Sequence, residues 1–176
     1  MSERLVRIPL RPPPAVEADR EGSSHELLAL PAGSPARTAF LVEQAVGSAA
    51  ALNRRDFDAF LGYYEPEVEL RIARLGDGGL WGGDFDELYR GHERFLEAAR
   101  QWTDVWEDLR LEPDELIDEG GLSYVLFATW VGRGGGSGAE VTTSYQARHT
   151  VVGDRIGRVE FRAEREPALR ELGLGP

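Results

Sequence analysis

The stretch LSYVLFATWVGRGGGSGAEVTTSYQARHTVVGDRIGRVEFR, residues 122–162, decides the fold. It reads as three long strands, Leu122–Gly132, Glu140–Val152 and Arg155–Arg162. The run from Arg133 to Gly138 between the first two is glycine-rich, and no helix or strand interior tolerates it. Gly153-Asp154 between the last two is a tight-turn pair. Three consecutive hairpin-linked strands make an antiparallel meander. Alternation turns Tyr145, Ala147 and His149 to one face and Gln146 and Arg148 to the other.

Upstream of the meander the pattern changes to helical. Thr38–Asn53 places Leu41, Ala45, Ser48, Ala49 and Leu52 on one stripe. Asp56 caps a second helix carrying Phe57, Phe60, Leu61 and Tyr64, which Pro66 is expected to end. Val68–Ile72 alternates as a short strand. Residues 75–87, with five Gly and three Asp, read as a long loop, either a lid over a pocket or a plain surface connection. Their acids do not follow a calcium-loop spacing. A third helix opens at Tyr89, with Phe95, Ala99, Trp102 and Trp106 on one face. A strand from Leu109 to Asp118 leads into the meander, and Pro167–Leu172 reads as a closing helix stopped by Gly173. Helices gathered before an antiparallel sheet specify an α+β domain over 38–176, with one sheet face covered and the other left to water or a second subunit.

Residues 1–37 are different. Pro12–Pro14, Gly22–Ser24 and Pro31–Pro35 leave little apolar surface to offset ordering entropy, so this segment is expected to be a disordered or loosely docked arm. Leu27, Leu28 and Leu30 are its means of docking.

Composition bounds the function. The 176 residues suit one domain, and 41% are hydrophobic, enough for a packed core. The net charge of −11 arises entirely on 38–176, where 15 Arg face 26 acids, because 1–37 carry five of each. Such a surface repels phosphate backbones and argues against a nucleic-acid partner. All 20 basic residues are Arg, which reads as coding bias. No stretch of 18 apolar residues is present, so no membrane span is expected. Met1–Arg7 has no apolar run of secretory type. Cysteine is absent, which removes disulfides and thiolate chemistry and points to a reducing cytoplasm. His25, His92 and His149 have no metal-ligand spacing, and no dinucleotide or phosphate-loop glycine pattern follows a strand. Ser137 lacks the flanking glycines of a nucleophile elbow. No metal or cofactor is expected.

The span from about 38 to 174 resembles the SnoaL-like branch of the nuclear transport factor 2-like superfamily. The resemblance rests on Leu52–Phe60, Glu65–Leu70, Tyr89–Glu93, Trp106–Leu111 and the closing stretches Gly153–Phe161 and Ala168–Leu174, in that order and spacing. It implies a cone-shaped α+β fold with an apolar pocket and frequent dimers through the open sheet face. It also spans many activities, from polyketide cyclases and isomerases to non-catalytic modules. In steroid-isomerase relatives two oxyanion donors and a carboxylate base fall where this chain has Ser48, Ala147 and Arg71. In epoxide-hydrolase relatives the catalytic set falls near Thr129, Val131 and Phe161. None of these side chains can do the corresponding chemistry, and the pocket aspartate of the cyclases has no counterpart.

Two residues remain for a polar role. His149 on the inner face is either an acid–base or ligand contact, or a core histidine hydrogen-bonded to a neighbour. Arg71 facing the pocket is either a ligand-anion clamp or one half of an ion pair with Glu69. Trp102, Trp106, Trp130, Tyr145 and Phe161, with Ser48, are expected to line the interior as core and pocket wall together. His92 at a helix start is expected to cap and pack. The leading expectation is a homodimeric protein that binds a small apolar or aromatic molecule, with Arg71 and His149 orienting its polar end. The alternatives are an enzyme of cyclase, isomerase or hydrolase type using His149, and a protein-interaction module whose interior is filled by side chains.

Overall fold

In the computed structural model of the chain the described residues are 5–12, 22–72, 88–104, 106, 108–133, 138–162, 169–170 and 173, with the side chains of Trp102 and Arg162 outside that set. The elements run β1 (Val6–Pro9), α1 (Ser24–Ala29), α2 (Pro35–Asn53), α3 (Phe57–Leu61), β2 (Tyr64–Ile72), β3 (Leu88–Arg90), α4 (Gly91–Asp104), β4 (Arg110–Asp118), β5 (Ser123–Arg133), β6 (Glu140–Val152) and β7 (Arg155–Arg162). One open sheet of seven strands holds them in the order β1-β4-β5-β6-β7-β2-β3. Every pairing is antiparallel except β2 with β7.

The meander forms as its alternation predicts. On β5, Tyr124, Leu126, Ala128 and Trp130 turn toward the helices and join the main core, while Val125 and Phe127 turn away. Tyr145, Ala147 and His149 on β6, and Ile156 and Val159 on β7, lie on the same inner side as Tyr124. The opposite face is not left wholly to water. Ile117, Val125 and Phe127 form a second cluster there with Leu169, and Leu5 packs against it. The remainder of the expected closing helix 167–172, and the loop 75–87, lie outside the described residues.

Three local expectations change. Within residues 1–37, read as a disordered or loosely docked arm, the described parts 5–12 and 22–37 carry β1, α1 and the start of α2. β1 pairs with β4 from Val6↔Asp118 to Pro9↔Glu115, because the edge of β4 offers unpaired backbone groups. α1 closes a capping box in which the Ser23 amide donates to Glu26 at 2.8 Å, and it buries Leu27 and Leu28. The helix after Asp56 ends at Leu61 rather than at Pro66. Pro66 lies inside β2 at the irregular stretch between Tyr64 and Glu69, where a missing N–H breaks no ladder bond with β7. Tyr89 belongs to β3, not to the third helix. Gly91, at φ +77, makes the turn that separates them, and α4 starts there.

Helix α2 is fastened to β4 at both ends. At its start Arg37 Nε donates to both Asp118 oxygens at 3.0 and 2.9 Å, and Nη2 donates to Oδ1 at 2.8 Å. Both side chains are fully buried. The Gly33 and Gly120 amides, each at 3.0 Å, complete the carboxylate's acceptors, and Arg37 Nη1 donates to the Leu28 carbonyl. At the far end the Asn53 amide group donates to the Leu111 carbonyl at 2.8 Å and accepts from its N–H at 2.7 Å. The lengths agree: residues 37 to 53 rise about 24 Å as a helix, and 111 to 118 about 23 Å as a strand.

Burial pushes the Asp118 pKa up, but the Arg37 hydrogen bonds, the two amides and the Arg37 charge outweigh it, so the net shift is downward. The stability this carboxylate contributes is therefore full above the unfolded-state value of about 3.9 and is lost as pH falls through its lower folded value. Arg37→Met leaves a buried carboxylate unpaired and should lower unfolding free energy by about 3–5 kcal/mol in urea titrations at pH 7. A loss below about 1 kcal/mol would show that the pair is not what holds α2 in place.

Candidate functional site

The concave face between the sheet and helices α2, α3 and α4 is the one place where aromatic side chains and unpartnered polar atoms converge among the described residues. Its floor is β5 and β6. Hairpin register sets Tyr124 opposite His149, and their rings stack in parallel at 4.8 Å with planes 6° apart. Further along, Trp130, Tyr145 and Phe161 form a continuous run, with centroids 5.9 and 5.1 Å apart. On the β2 side Tyr64 meets Phe95 edge-on at 4.5 Å and Phe60 at 4.9 Å. The roof is α2, which presents Gln44 and Ser48 on its buried stripe.

Polar atoms in this interior are unevenly served. The Ser48 hydroxyl donates back to the Gln44 carbonyl at 2.6 Å. Gln44 Oε1, Tyr124 Oη and His149 Nδ1 are buried with no hydrogen-bond partner among the described residues. Burying such an atom unpaired costs about 1–3 kcal/mol, so a cluster of them on one face requires an explanation beyond packing.

The titratable groups on this face are held neutral by burial. Burial raises the Tyr64 pKa, and Ser48 offsets it only in part. Tyr124 and Tyr145 are raised by burial first, and then by Tyr64 close by. Burial lowers the His149 pKa to about 4, against a smaller opposing effect of the Ala147 backbone. At pH 7 these phenols are protonated and the imidazole is uncharged. The Arg37–Asp118 pair, bonded to itself, neutralises its own charge.

Of the residues singled out from sequence, His149, Tyr145, Trp130, Phe161 and Ser48 come together here. Arg71 does not. Val68 and Leu70 turn inward on β2, so Arg71 points outward, where it is half-exposed and pairs with Glu69 at 3.4 Å. Alternation forbids a cation at that position from reaching the interior. Arg90 and Arg158 share the same Glu69, at 3.2 and 3.5 Å. Trp106 lies beyond the end of α4 and packs over Gly132, where a Cβ would fall 3.0 Å from the indole. The side chain of Trp102 lies outside the described residues. His92 Nε2 bonds the Tyr64 carbonyl at 3.0 Å, the packing role expected of it.

Two contributors were missed. Gln44 sits between Leu41 and Ser48 on the buried stripe, and a stripe read by hydrophobicity passes over it. Tyr124 could have been found by pairing β5 with β6 outward from the glycine-rich turn, which puts it opposite His149. Among the described residues no group of three or more His, Cys, Asp or Glu is arranged to hold a metal ion. No helix among them is long and apolar enough to cross a membrane.

Comparison with known proteins adds a family and a fold. The family model for the SnoaL-like domain matches residues 45–159. Among curated proteins none matches the chain. Similar solved structures include TerC co-crystallised with polyporic acid, 23% identical, spanning 76% of this chain and 97% of that one at TM-score 0.60. A nuclear transport factor 2-like protein of unknown function from Burkholderia pseudomallei is 20% identical over 74% of this chain and 95% of its own, at 0.59. A protein with a ketosteroid isomerase-like fold from Catenulispora acidiphila, in complex with trimethylamine, is 14% identical over 75% and 93%, at 0.57. At these identities the likeness is one of fold.

The neutral burial of His149 has a consequence for stability. Below about pH 6.5 the unfolded chain takes up a proton on this residue that the folded chain refuses until about pH 4. Folding stability should therefore fall with pH across that window, by up to about 3 kcal/mol from this one group. His149→Phe should flatten the difference between pH 6.5 and 4 in chemical denaturation. A profile parallel to that of the parent protein would mean the imidazole is not buried neutral.

Proposed function

The chain belongs to the SnoaL-like domain family, and on that premise we propose that its interior binds a small, flat, largely apolar molecule through one neutral polar group. The observation that carries this is the set of three unpartnered atoms, Gln44 Oε1, Tyr124 Oη and His149 Nδ1, on a face otherwise made of aromatic rings. A phenol can donate to a carbonyl or hydroxyl oxygen, and an amide oxygen can accept only from a donor, so a hydroxyl on the ligand answers both needs and a carbonyl answers the first. The stacked rings favour a planar body. The group is neutral because, among the described residues, the interior offers a carboxylate no uncommitted cation: Arg71 faces outward, and Arg37 is committed to Asp118. Similar folds crystallised with polyporic acid and with trimethylamine support a small-molecule reading in general terms.

Turnover by His149 is the weaker reading. With its pKa near 4, roughly one molecule in a thousand carries the proton at pH 7, far from the matched value that general acid catalysis needs.

Calorimetric titration with naphthalene, 2-naphthol and 2-naphthoate, which share one ring system, tests the proposal. The naphthol should bind roughly 5–10-fold more tightly than naphthalene, the worth of one neutral hydrogen bond, and the naphthoate more weakly than either. Tyr124→Phe should erase most of the naphthol's advantage. Preference for the carboxylate, or no binding by any of the three, would contradict a neutral interior site.

A further inference from the structure

Residues 22–34 form a strap across the end of the concave face where Tyr124 and His149 stack. At the start of α1 the Ser24 hydroxyl donates to Asp154 and lies 3.2 Å from the Gly153 carbonyl, both in the turn joining β6 to β7. At the other end the Leu28 carbonyl accepts from Arg37, and the Gly33 amide donates to Asp118 at the end of β4. Asp118 is the direct neighbour of Tyr124 across β4 and β5, and His149 lies three residues before the end of β6. The strap thus runs from the β6–β7 turn to β4, over the strand ends that carry the stacked pair.

Between Gly22 and Gly33 the strap is attached through Ser24, Leu27, Leu28 and the bond from Arg37 to the Leu28 carbonyl. Of the six residues of α1 only Leu27 and Leu28 bury apolar side chains, and Leu30 just beyond is 38% exposed. The segment is bounded by Gly22 at φ +139 and Gly33 at φ +78, backbone conformations that glycine adopts at least cost. Among the described residues on either side, β1 pairs with β4 and the Gly33 amide is bonded to Asp118 at the end of β4. We propose that the strap opens as a unit about Gly22 and Gly33, with Ser24–Asp154 as its latch, and is the gate to the Tyr124–His149 end of the interior. The gate presupposes the interior ligand site proposed above, but the opening itself does not, and it can be read without any ligand.

The absence of cysteine makes that reading direct. Ala147 is fully buried on the inner face two residues from His149, so Ala147→Cys places one reporter thiol behind the strap. Ala98→Cys on α4 places one in the core away from it. Each is treated with methyl methanethiosulfonate at pH 8, and the modification rate is followed by mass spectrometry with and without Ser24→Ala. If Ala147→Cys does not fold, Leu126→Cys, its cross-strand neighbour, serves instead. Loss of the latch should speed modification behind the strap at least tenfold and leave the α4 reporter within twofold. An unchanged rate behind the strap would overturn the gate. So would a parallel rise at both reporters, which would mean that the whole domain opens rather than the strap.

Discussion

The buried Arg37–Asp118 pair is the interaction that ties the start of α2 to β4, and with it the helix that covers the inner face of the sheet. Two charges out of water are costly, and the cost is met only because the hydrogen bonding is complete. The guanidinium forks onto the carboxylate and reaches the Leu28 carbonyl, while two backbone amides take the remaining acceptor positions. Asn53 repeats the fastening at the other end with neutral bonds to Leu111. The helix is thus tied at both ends to a strand of matching length, and the aromatic and polar side chains of the inner face lie in the core it covers.

That geometry explains the unusual polarity of the interior. A core built for stability alone would replace Gln44, Tyr124 and His149 with apolar groups of similar size, since each unpaired atom works against folding. Here they coincide with stacked rings and with a family whose fold surrounds an interior. Poor pairing that gathers on one face of a core is a mark of a candidate site; among the described residues Ser34 Oγ, at the start of α2, is also buried without a partner. The same burial that leaves these groups unpaired keeps the phenol protonated and the imidazole uncharged at pH 7.

Much of this was legible in the chain. Period-two alternation and the two turn signals placed β6 and β7 at their observed ends and β5 within a residue. They also assigned Tyr145, Ala147 and His149 to the inner face. The helical stripe of α2 held as well. What was not legible depended on facing and on long-range partners. Arg71 was assigned inward because an aligned family position carried more weight than the Val68 and Leu70 on either side of its neighbour, yet one residue of slip inverts a strand. β1 and the approach to α2 are not legible in residues 1–37 taken alone, because their partners, the edge of β4 and the Asp118 carboxylate, lie some 80 to 110 residues away along the chain. Gln44 was passed over because a hydrophobic stripe is read by its apolar members. The Tyr124–His149 pair needed a hairpin register that the sequence implied and the reading did not carry through.

The claim that the interior is a binding site for a neutral, planar molecule is tested most directly by high-resolution diffraction from protein purified out of its own host. The account predicts non-protein density, flat in outline, within hydrogen-bond distance of at least two of Tyr124 Oη, His149 Nδ1 and Gln44 Oε1. Density absent from that space, with all three atoms bonded to one another or to neighbouring side chains, would contradict it and leave a packed core.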